Sequence, residues 1–348
     1  MSELLKRVKK EGNPLIDDDQ VTFVWKGKKA PYLHIETRLY QPVKLKKVGK
    51  KLWAHTETIL PDAYIEYFFA TKKGNAKTII KDPFNANTTD TGVGHDNTYF
   101  SMPEHKHTNL GIKRKGIQTG TISKHKLKDS FIIPNQKRDL WLYHPPTDEP
   151  VPLLVVLDGR DYKQRGRVAH ITDNLIAEGR IQPIAIAMLE NADSWRTMEY
   201  NQGDSIPMLI HRSLLPFAQK KLNLLDIEEN QGAYGILGAS MGGLMALYIG
   251  LRLPHIFGKV ISQAGAFFKF DEDTPSLIHV LVDTLPQAPI KIWQDIGTYD
   301  FLYRDNLDMR QRLDAKGYDL TYVEYSGGHN YTNWRNNLPS ALETIYGV

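Results

Sequence analysis

The chain has 348 residues, 41% hydrophobic and 24% charged, which allows about two domains with full cores and excludes wholesale disorder. It has no cysteine, which excludes disulfides and thiol nucleophiles. It also has no apolar stretch typical of a membrane span or a secretory signal. We therefore expect a cytoplasmic protein that does not enter membranes. Basic residues outnumber acidic ones by 26 to 17 over residues 1–150 and are outnumbered 18 to 23 thereafter, which indicates two modules with different surfaces.

The first part of the chain is rich in short runs of β-branched and aromatic residues separated by Gly, Pro and Lys, a pattern typical of β-strands. Four such runs predict a small sandwich: VTFVWKG, YLHIETRLY, KLWAHTETIL and AYIEYFFAT. Residues 81–110 are polar and rich in turn-forming residues, which predicts a long connection. We therefore expect an N-terminal β-sandwich with its connection over residues 1–110.

From residue 111 the pattern changes to strands that alternate with helices. GIKRKGIQTGTISKHKL and KRDLWLYHPP predict two further strands. Continuous apolar runs predict buried parallel strands in VPLLVVLDG, PIAIAMLE, AYGILGAS, KVISQAG, IKIWQDIG and LTYVEYSGG. Helices are predicted in RVAHITDNLIAEGRI, SLLPFAQKKLNL, MGGLMALYIGLRLP and NLDMRQRLDAKG. This alternation predicts an α/β domain over residues 111–348 with a mostly parallel central sheet.

The segment Gly238–Gly242 has the pattern G-x-S-x-G between a predicted strand and a predicted helix, which is the context of a nucleophile elbow. The tight turn excludes side chains beside the serine and holds Ser240 with its hydroxyl above the sheet. The next helix directs its free N–H groups at the same point, so the backbone N–H of Met241 is predicted to stabilise an oxyanion. The alternative is a glycine-rich turn without a catalytic role.

A serine hydroxyl needs a base that is oriented by an acid, and in this kind of fold the chain order is Ser, acid, His. His329 follows a predicted strand in a glycine-rich loop, which suits a base, whereas His279 lies in an apolar, helix-like segment. Asp300 follows the strand IKIWQDIG, where active-site groups gather, and is the predicted acid, with Asp305 as the alternative. Asp295 lies inside that strand and is expected to point into a helix–sheet layer.

Other candidate site residues come from the loops around this motif. The second oxyanion donor is expected after VPLLVVLDG, where we favour Arg160, whose guanidinium also suits an anionic substrate. Trp334 and Tyr299 flank the predicted machinery and are candidate substrate-binding residues, although packing explains them equally well. The histidines at positions 95, 105 and 107 lack the spacing of a metal site, so no metal is predicted.

From about Trp141 to the C-terminus, the chain resembles the enterochelin-esterase and esterase-D type of α/β-hydrolase. The similar blocks occur in the family's order: LLVVLDG, RTMEY, LGASMGGLMAL, SQAGAF, GTYDFLYRDN and SGGHNYTNW. Through VTFVWKG and KDPFNANTTD, the first part resembles more weakly the β-sandwich that precedes the hydrolase domain in enterochelin esterases. The resemblance implies an α/β-hydrolase fold with a mostly parallel central sheet, preceded by a small N-terminal β-sandwich.

The resemblance also implies site roles. By this resemblance Ser240 is the nucleophile, Asp300 is the acid and His329 is the base. Arg196 and Glu199 match the family's R-x-x-E pattern, which implies a supporting pair. In siderophore esterases the acid is often Glu and the histidine is commonly followed by Asp, where this chain has Asn330. The phrase GTYDFLY is more similar to the tributyrin, acetyl and feruloyl esterases.

The sequence therefore predicts a serine carboxylic ester hydrolase that works through an acyl-enzyme without a cofactor. A basic first half favours an anionic substrate such as a siderophore trilactone, whereas GTYDFLY favours a carbohydrate acetyl or feruloyl ester or a short-chain ester. A glycan-binding module on an inactive hydrolase scaffold is the non-enzymatic alternative. The expected partner is a small-molecule ester and not nucleic acid, because no nucleic-acid-binding signature accompanies the lysines. The oligomeric state is open, a homodimer included.

Overall fold

The computed structural model describes residues 2–73, 78–92, 94–129, 136–269 and 274–348. The chain divides into two compact units. The first consists of residues 1–107 together with 297–301 and 324–333, and the second of residues 108–296, 302–323 and 334–348. Two short C-terminal segments therefore belong to the same unit as the N-terminal strands.

The N-terminal part begins with a short helix and is otherwise built of strands. Its elements are α1 (Glu3–Glu11), β1 (Leu15–Asp17), β2 (Gln20–Lys26), β3 (Tyr32–Ile35), β4 (Val43–Lys44), β5 (Lys46–Gly49), β6 (Leu52–Thr58), β7 (Tyr64–Ala70), β8 (Ile79–Ile80), β9 (Thr88–Asp90) and β10 (Asp96–Ser101). One sheet has the order β1-β2-β6-β5, and the other has the order β4-β3-β7-β10-β9, with β8 paired to β7.

The core of the first unit lies between these two sheets. Phe23 of β2 and Tyr67 of β7 come from different sheets, and their rings meet edge to face with centroids 5.0 Å apart. Val21, Ile65 and Phe100 belong to the same buried cluster. Because alternate residues of a strand point to opposite faces, each sheet contributes one apolar face to this core. The predicted N-terminal β-sandwich is confirmed.

Two local predictions for the first part were wrong. Residues 81–110, predicted as a connection, contain β9 and β10, and the alternation of DNTYFS places Phe100 in the core. Val93 of that segment lies outside the described residues. The strand predicted for YLHIETRLY ends at Ile35, because a 3₁₀ turn over Glu36–Arg38 follows and Leu39 has a positive φ.

From residue 108 onward, strands and helices alternate. The elements are β11 (Thr121–Asp129), β12 (Gln136–His144), β13 (Leu153–Val156), α2 (Gly159–Gln164), α3 (Val168–Ala177), β14 (Ala185–Leu189), α4 (Arg196–Glu199), α5 (Ser205–Leu209), α6 (Leu215–Gln219), β15 (Gly235–Ala239), α7 (Met241–Arg252), β16 (Lys259–Gln263), α8 (Leu277–Thr284), β17 (Lys291–Gly297), α9 (Tyr303–Ala315), β18 (Asp319–Tyr325) and α10 (Tyr331–Tyr346).

These strands form one eight-stranded sheet in the order β11-β12-β14-β13-β15-β16-β17-β18. The pairs from β14 through β17 are parallel, and β12 pairs antiparallel with both β11 and β14. Strands β13, β14 and β15 are buried along their whole length, which explains their continuous apolar sequences. The predicted α/β-hydrolase fold with a mostly parallel sheet is confirmed.

The helices differ from the prediction in several places. The terminal helices α1 and α10 were not predicted, and the helix predicted for SLLPFAQKKLNL instead starts at Ser205 and passes through a π-helical turn at Ile210–Leu214. The strand predicted from residue 111 begins only at Thr121. Within the described ranges, no helix has both the length and the apolar character required to cross a lipid bilayer.

Candidate active site

Ser240 occupies a sharp turn between β15 and α7. Its backbone has φ 58° and ψ −125°, a conformation that costs a non-glycine residue on the order of 1–3 kcal/mol. The Ser240 N–H donates to the carbonyl of Gln263 at 2.9 Å, and the Ser240 carbonyl accepts from the N–H groups of Ala266 and Leu244, both at 3.0 Å. Backbone hydrogen bonds thus hold the strained residue at the start of the helix.

The two glycines of the motif are required by close approaches. A Cβ atom at Gly238 would lie 2.2 Å from the carbonyl oxygen of Gly242, so any side chain there would displace the first turn of α7. A Cβ atom at Gly242 would lie 3.1 Å from a carboxylate oxygen of Asp158. The turn therefore brings the N-terminus of α7 against the loop that follows β13.

The predicted oxyanion residues lie in the first turns of two different helices of the second unit. Met241 is the first residue of α7, and Arg160 is the second residue of α2. The N–H groups in a first helical turn have no partner within their helix and are therefore available to an anion. The Arg160 side chain is exposed and forms an ion pair with Glu190 at 3.3 Å. Burial raises the pKa of Glu190 to about 7, although the Arg160 charge opposes this shift.

A buried ion pair beside the elbow was not predicted. The Asp158 side chain is fully buried and accepts hydrogen bonds from Nε and Nη2 of Arg196, both at 2.7 Å, and from the Asn191 amide at 2.6 Å. Arg196 Nη2 also lies 3.4 Å from the carbonyl oxygen of Ala239, the residue before Ser240. This arginine therefore links the loop after β13 to the strand end that leads into the elbow.

The family resemblance implies that Arg196 and Glu199 are a supporting pair, and in the structure each forms an ion pair with a buried residue. Glu199 forms a fully buried ion pair with Arg138 of β12 at 2.6 Å and accepts the N–H of Ala192 at 2.9 Å. The two residues of the R-x-x-E pattern thus lie on the same short helix but contact different partners.

Asp300 and His329 meet in the first unit. Asp300 Oδ2 lies 2.7 Å from His329 Nδ1, and the Asp300 side chain is fully buried while that of His329 is 17% exposed. The ring of Phe301 packs against the imidazole with centroids 4.7 Å apart. The N–H of Tyr299 donates to the carbonyl of Gly327 at 3.0 Å, which joins the two loops that carry the pair. The imidazole is thus oriented by a buried carboxylate.

The residues set aside during sequence analysis have other partners. His279 is buried on α8, where its ring contacts the capping residue Ser276. Asp295 is buried within β17 and accepts hydrogen bonds from Trp293 at 2.8 Å and from Gln263 at 2.9 Å. Asp305 lies in the first turn of α9, which begins three residues earlier than the sequence predicts.

Besides Arg160, the predicted substrate-binding residues are Tyr299 and Trp334, and both have structural contacts. The hydroxyl of Tyr299 accepts the N–H of Leu60 at 3.0 Å. Trp334 lies on α10, is 4% exposed, and accepts a hydrogen bond from Gln263 on its backbone carbonyl at 3.0 Å. Their role toward a substrate stays a prediction.

No group of three or more His, Asp or Glu side chains with a metal-binding arrangement occurs in the part of the chain that the structure describes. His105 Nδ1 lies 2.9 Å from the carbonyl oxygen of Asp62, and His107 Nε2 lies 3.2 Å from the hydroxyl of Ser101.

Residues 132–345, more than half of the chain, match the family model described as "Putative esterase". The chain belongs to this esterase family. It is 29% identical over 224 residues to an iron(III) enterobactin esterase of Dickeya dadantii, which covers 59% of this chain and 51% of that protein. It is 24% identical over 251 residues to an iron(III) salmochelin esterase of Escherichia coli, which covers 67% of this chain and 59% of that protein. The chain thus spans between half and three fifths of these relatives.

Among solved structures, a ferric enterobactin esterase from Salmonella typhimurium has a TM-score of 0.82 at 19% identity. The superposition covers 99% of this chain and 98% of that protein, so the likeness extends over both units. At this level of identity the comparison establishes the fold.

Proposed function

We propose that this esterase-family protein is a serine hydrolase of carboxylic esters, with Ser240 as nucleophile, His329 as base and Asp300 as the acid that orients the base. The observation that best supports this role for His329 is the 2.7 Å contact between its Nδ1 and the buried carboxylate of Asp300. Such a carboxylate selects the tautomer with the proton on Nδ1, in which Nε2 is the ring nitrogen that can accept a proton.

The strand order supports placing the three residues in one catalytic group. Ser240 follows β15, Asp300 follows β17 and His329 follows β18, and these strands are close neighbours in the sheet. In open α/β sheets, catalytic groups gather outside the carboxyl ends of the strands.

The mechanism has two steps. His329 Nε2 accepts the Ser240 hydroxyl proton as Oγ attacks the ester carbonyl, and the N–H groups of Met241 and Arg160 stabilise the oxyanion. The tetrahedral intermediate collapses, and the imidazolium gives its proton to the departing alcohol, which leaves an acyl-serine. Water, deprotonated by the same imidazole, then attacks the acyl-serine, and Ser240 recovers its proton as the carboxylic acid is released.

For the substrate we propose a siderophore ester. The similar proteins named as iron(III) enterobactin and salmochelin esterases support this class, and the excess of basic residues in the first 150 positions favours an anionic chelate.

The test is a hydrolysis panel followed by mass spectrometry. It contains a catecholate trilactone with and without iron, a short-chain nitrophenyl ester, an acetylated xylo-oligosaccharide and a feruloyl sugar. We expect preferential cleavage of the trilactone by the natural protein and no turnover by Ser240→Ala. Cleavage of the small or sugar esters alone would refute the siderophore proposal and leave the serine mechanism standing.

A second variant controls for the general loss of a serine hydroxyl. Ser123 on β11 also contacts histidines, His125 at 2.8 Å and His144 at 3.0 Å, but it lies in the middle of a strand pair. Ser123→Ala should keep both turnover and covalent labelling by a fluorophosphonate, whereas Ser240→Ala should lose both. Labelling of a folded Ser240→Ala protein at the rate of the natural protein would show that the nucleophile is a different residue.

A further inference from the structure

The glutamate at position 36 is buried in the first unit next to the loop that carries His329. It begins the 3₁₀ turn after β3 and is 1% exposed. Glu36 Oε2 accepts the backbone N–H of Glu66 at 2.8 Å, and Oε1 accepts Nδ2 of Asn330 at 2.9 Å. Each carboxylate oxygen thus receives a donor, one from β7 and one from the residue after His329.

The same carboxyl group also contacts the residue before His329. A Cβ atom at Gly328 would lie 2.4 Å from the carboxyl carbon of Glu36, so the backbone of the loop rests directly on this side chain. Asn330 in turn accepts the N–H of Asn333 on Oδ1 at 2.9 Å. The Asn330 amide therefore has a defined orientation, with its oxygen toward Asn333 and its NH₂ group toward Glu36.

The surroundings of Glu36 contain several other acidic groups. Burial, and then the charge of Glu66, holds the pKa of Glu36 well above its usual range, and Asp300 acts in the same direction. The buried Glu66 side chain accepts Nδ2 of Asn97 at 2.9 Å, and the hydroxyl of Tyr40 is hydrogen-bonded to Glu36. Burying a carboxyl group among other acids costs free energy of folding unless specific hydrogen bonds compensate for it.

We propose that Glu36 is a positioning residue for His329. Through Asn330 on one side and Gly328 on the other, it fixes the loop so that the imidazole keeps its contact with Asp300. This inference rests on the proposed function, because it assigns to Glu36 a task in the catalysis by His329.

The direction of the hydrogen bonds provides a sharp test. In Glu36→Gln, one carboxyl oxygen becomes an NH₂ group. Whichever oxygen is replaced, the NH₂ group faces another donor, either the Asn330 amide or the backbone N–H of Glu66. If the Asn330 amide turned to accept from it, its own NH₂ group would face the N–H of Asn333. In Asn330→Asp, two carboxyl groups face each other at the position of the former hydrogen bond. We expect each single variant to lose tenfold or more in kcat, about the effect of leaving one buried hydrogen-bonding group without its partner.

The double variant Glu36→Gln/Asn330→Asp reverses this hydrogen bond by exchanging the carboxyl and the amide between the two positions. The amide introduced at position 36 donates to the carboxylate introduced at position 330, and that carboxylate still accepts the N–H of Asn333. The oxygen of the introduced amide still accepts the N–H of Glu66. We expect kcat to return to within about threefold of the natural value. Because this comparison needs only Asn330→Asp and the double variant, it remains decisive if Glu36→Gln does not fold.

The control is another buried carboxyl group of the first unit. Asp82 is 2% exposed and contacts Asn13 and Tyr67, each at 2.7 Å. Asp82→Asn should lower the midpoint of thermal unfolding without changing kcat per active site. The same result for Asn330→Asp, or a double variant that is no more active than Asn330→Asp, would overturn the positioning role.

Two readouts separate this inference from the proposed function. Activity is measured with a nitrophenyl ester, and the rate of fluorophosphonate labelling reports on the nucleophile even where no ester is turned over. His329→Ala and Ser240→Ala are measured in parallel. If both remain active, the proposed function fails; if both are inactive and the reversed pair does not rescue, only the role of Glu36 fails.

Discussion

Removal of the Arg196 guanidinium should destabilise the protein strongly, because Asp158 is completely buried. In Arg196→Met, the carboxylate loses two hydrogen bonds of 2.7 Å and keeps the one from Asn191. Two bonds to a charged group contribute about 3–6 kcal/mol, and breaking a buried ion pair typically costs about 3–5 kcal/mol. Because the Arg196 side chain is 28% exposed and water can partly replace it, we expect a loss of about 3 kcal/mol.

The assay is equilibrium unfolding in urea, with each variant compared at the same pH. The exposed pair of Arg252 and Asp204, 3.8 Å apart, provides the matched control, and Arg252→Met should cost less than about 1 kcal/mol. The double variant Asp158→Asn/Arg196→Met removes the buried charge and should recover part of the loss. The reasoning is refuted if Arg196→Met is no less stable than Arg252→Met, or if the double variant is less stable than Arg196→Met.

Two further predictions concern buried acids. Glu199→Leu should lower the free energy of unfolding by about 3–5 kcal/mol, because it removes a buried acidic partner of the Arg138 charge. The double variant Arg138→Met/Glu199→Leu should recover most of that loss. Urea titrations in which the double variant is less stable than Glu199→Leu would contradict this prediction. Burial raises the pKa of Glu57, but hydrogen bonds from three neighbouring side chains outweigh it and lower the pKa to about 2. The folded-state pKa lies below the unfolded value, so the stabilisation is present above about pH 4.5 and is lost as the pH falls toward 2. Acid unfolding of Glu57→Gln should therefore show a smaller loss of stability over this interval, and identical curves for the two proteins would exclude the effect.

The strained turn at Ser240 could be predicted because its determinants are local. The glycines at 238 and 242 flank Ser240 within five residues, and apolar runs on both sides indicate the strand and the helix. The positions of Asp300 and His329 followed from the rule that active-site groups gather after strands of an α/β sheet. Each of these choices rested on the local sequence context, and Asp305 stayed open as the alternative acid.

The supporting contacts could not be predicted in the same way. Asp158 and Arg196 are 38 positions apart, and Glu36 and Asn330 are 294 positions apart, so no local pattern connects them. The family resemblance implied that Arg196 and Glu199 are a supporting pair but did not indicate which residues they contact. Their helix is only four residues long, and its two charged side chains find buried partners elsewhere.

The two units alternate along the chain, so they cannot be separated by a single truncation. The polypeptide passes from one unit to the other five times, and the segments 297–301 and 324–333 return to the first unit late in the sequence. A gene fragment that starts at residue 108 would keep Ser240 but would lack Glu36, Leu60 and Tyr64, which contact those segments. No single truncation therefore yields a fragment in which Asp300 and His329 keep these contacts. A chimera with a related esterase would have to exchange residues 1–107, 297–301 and 324–333 together.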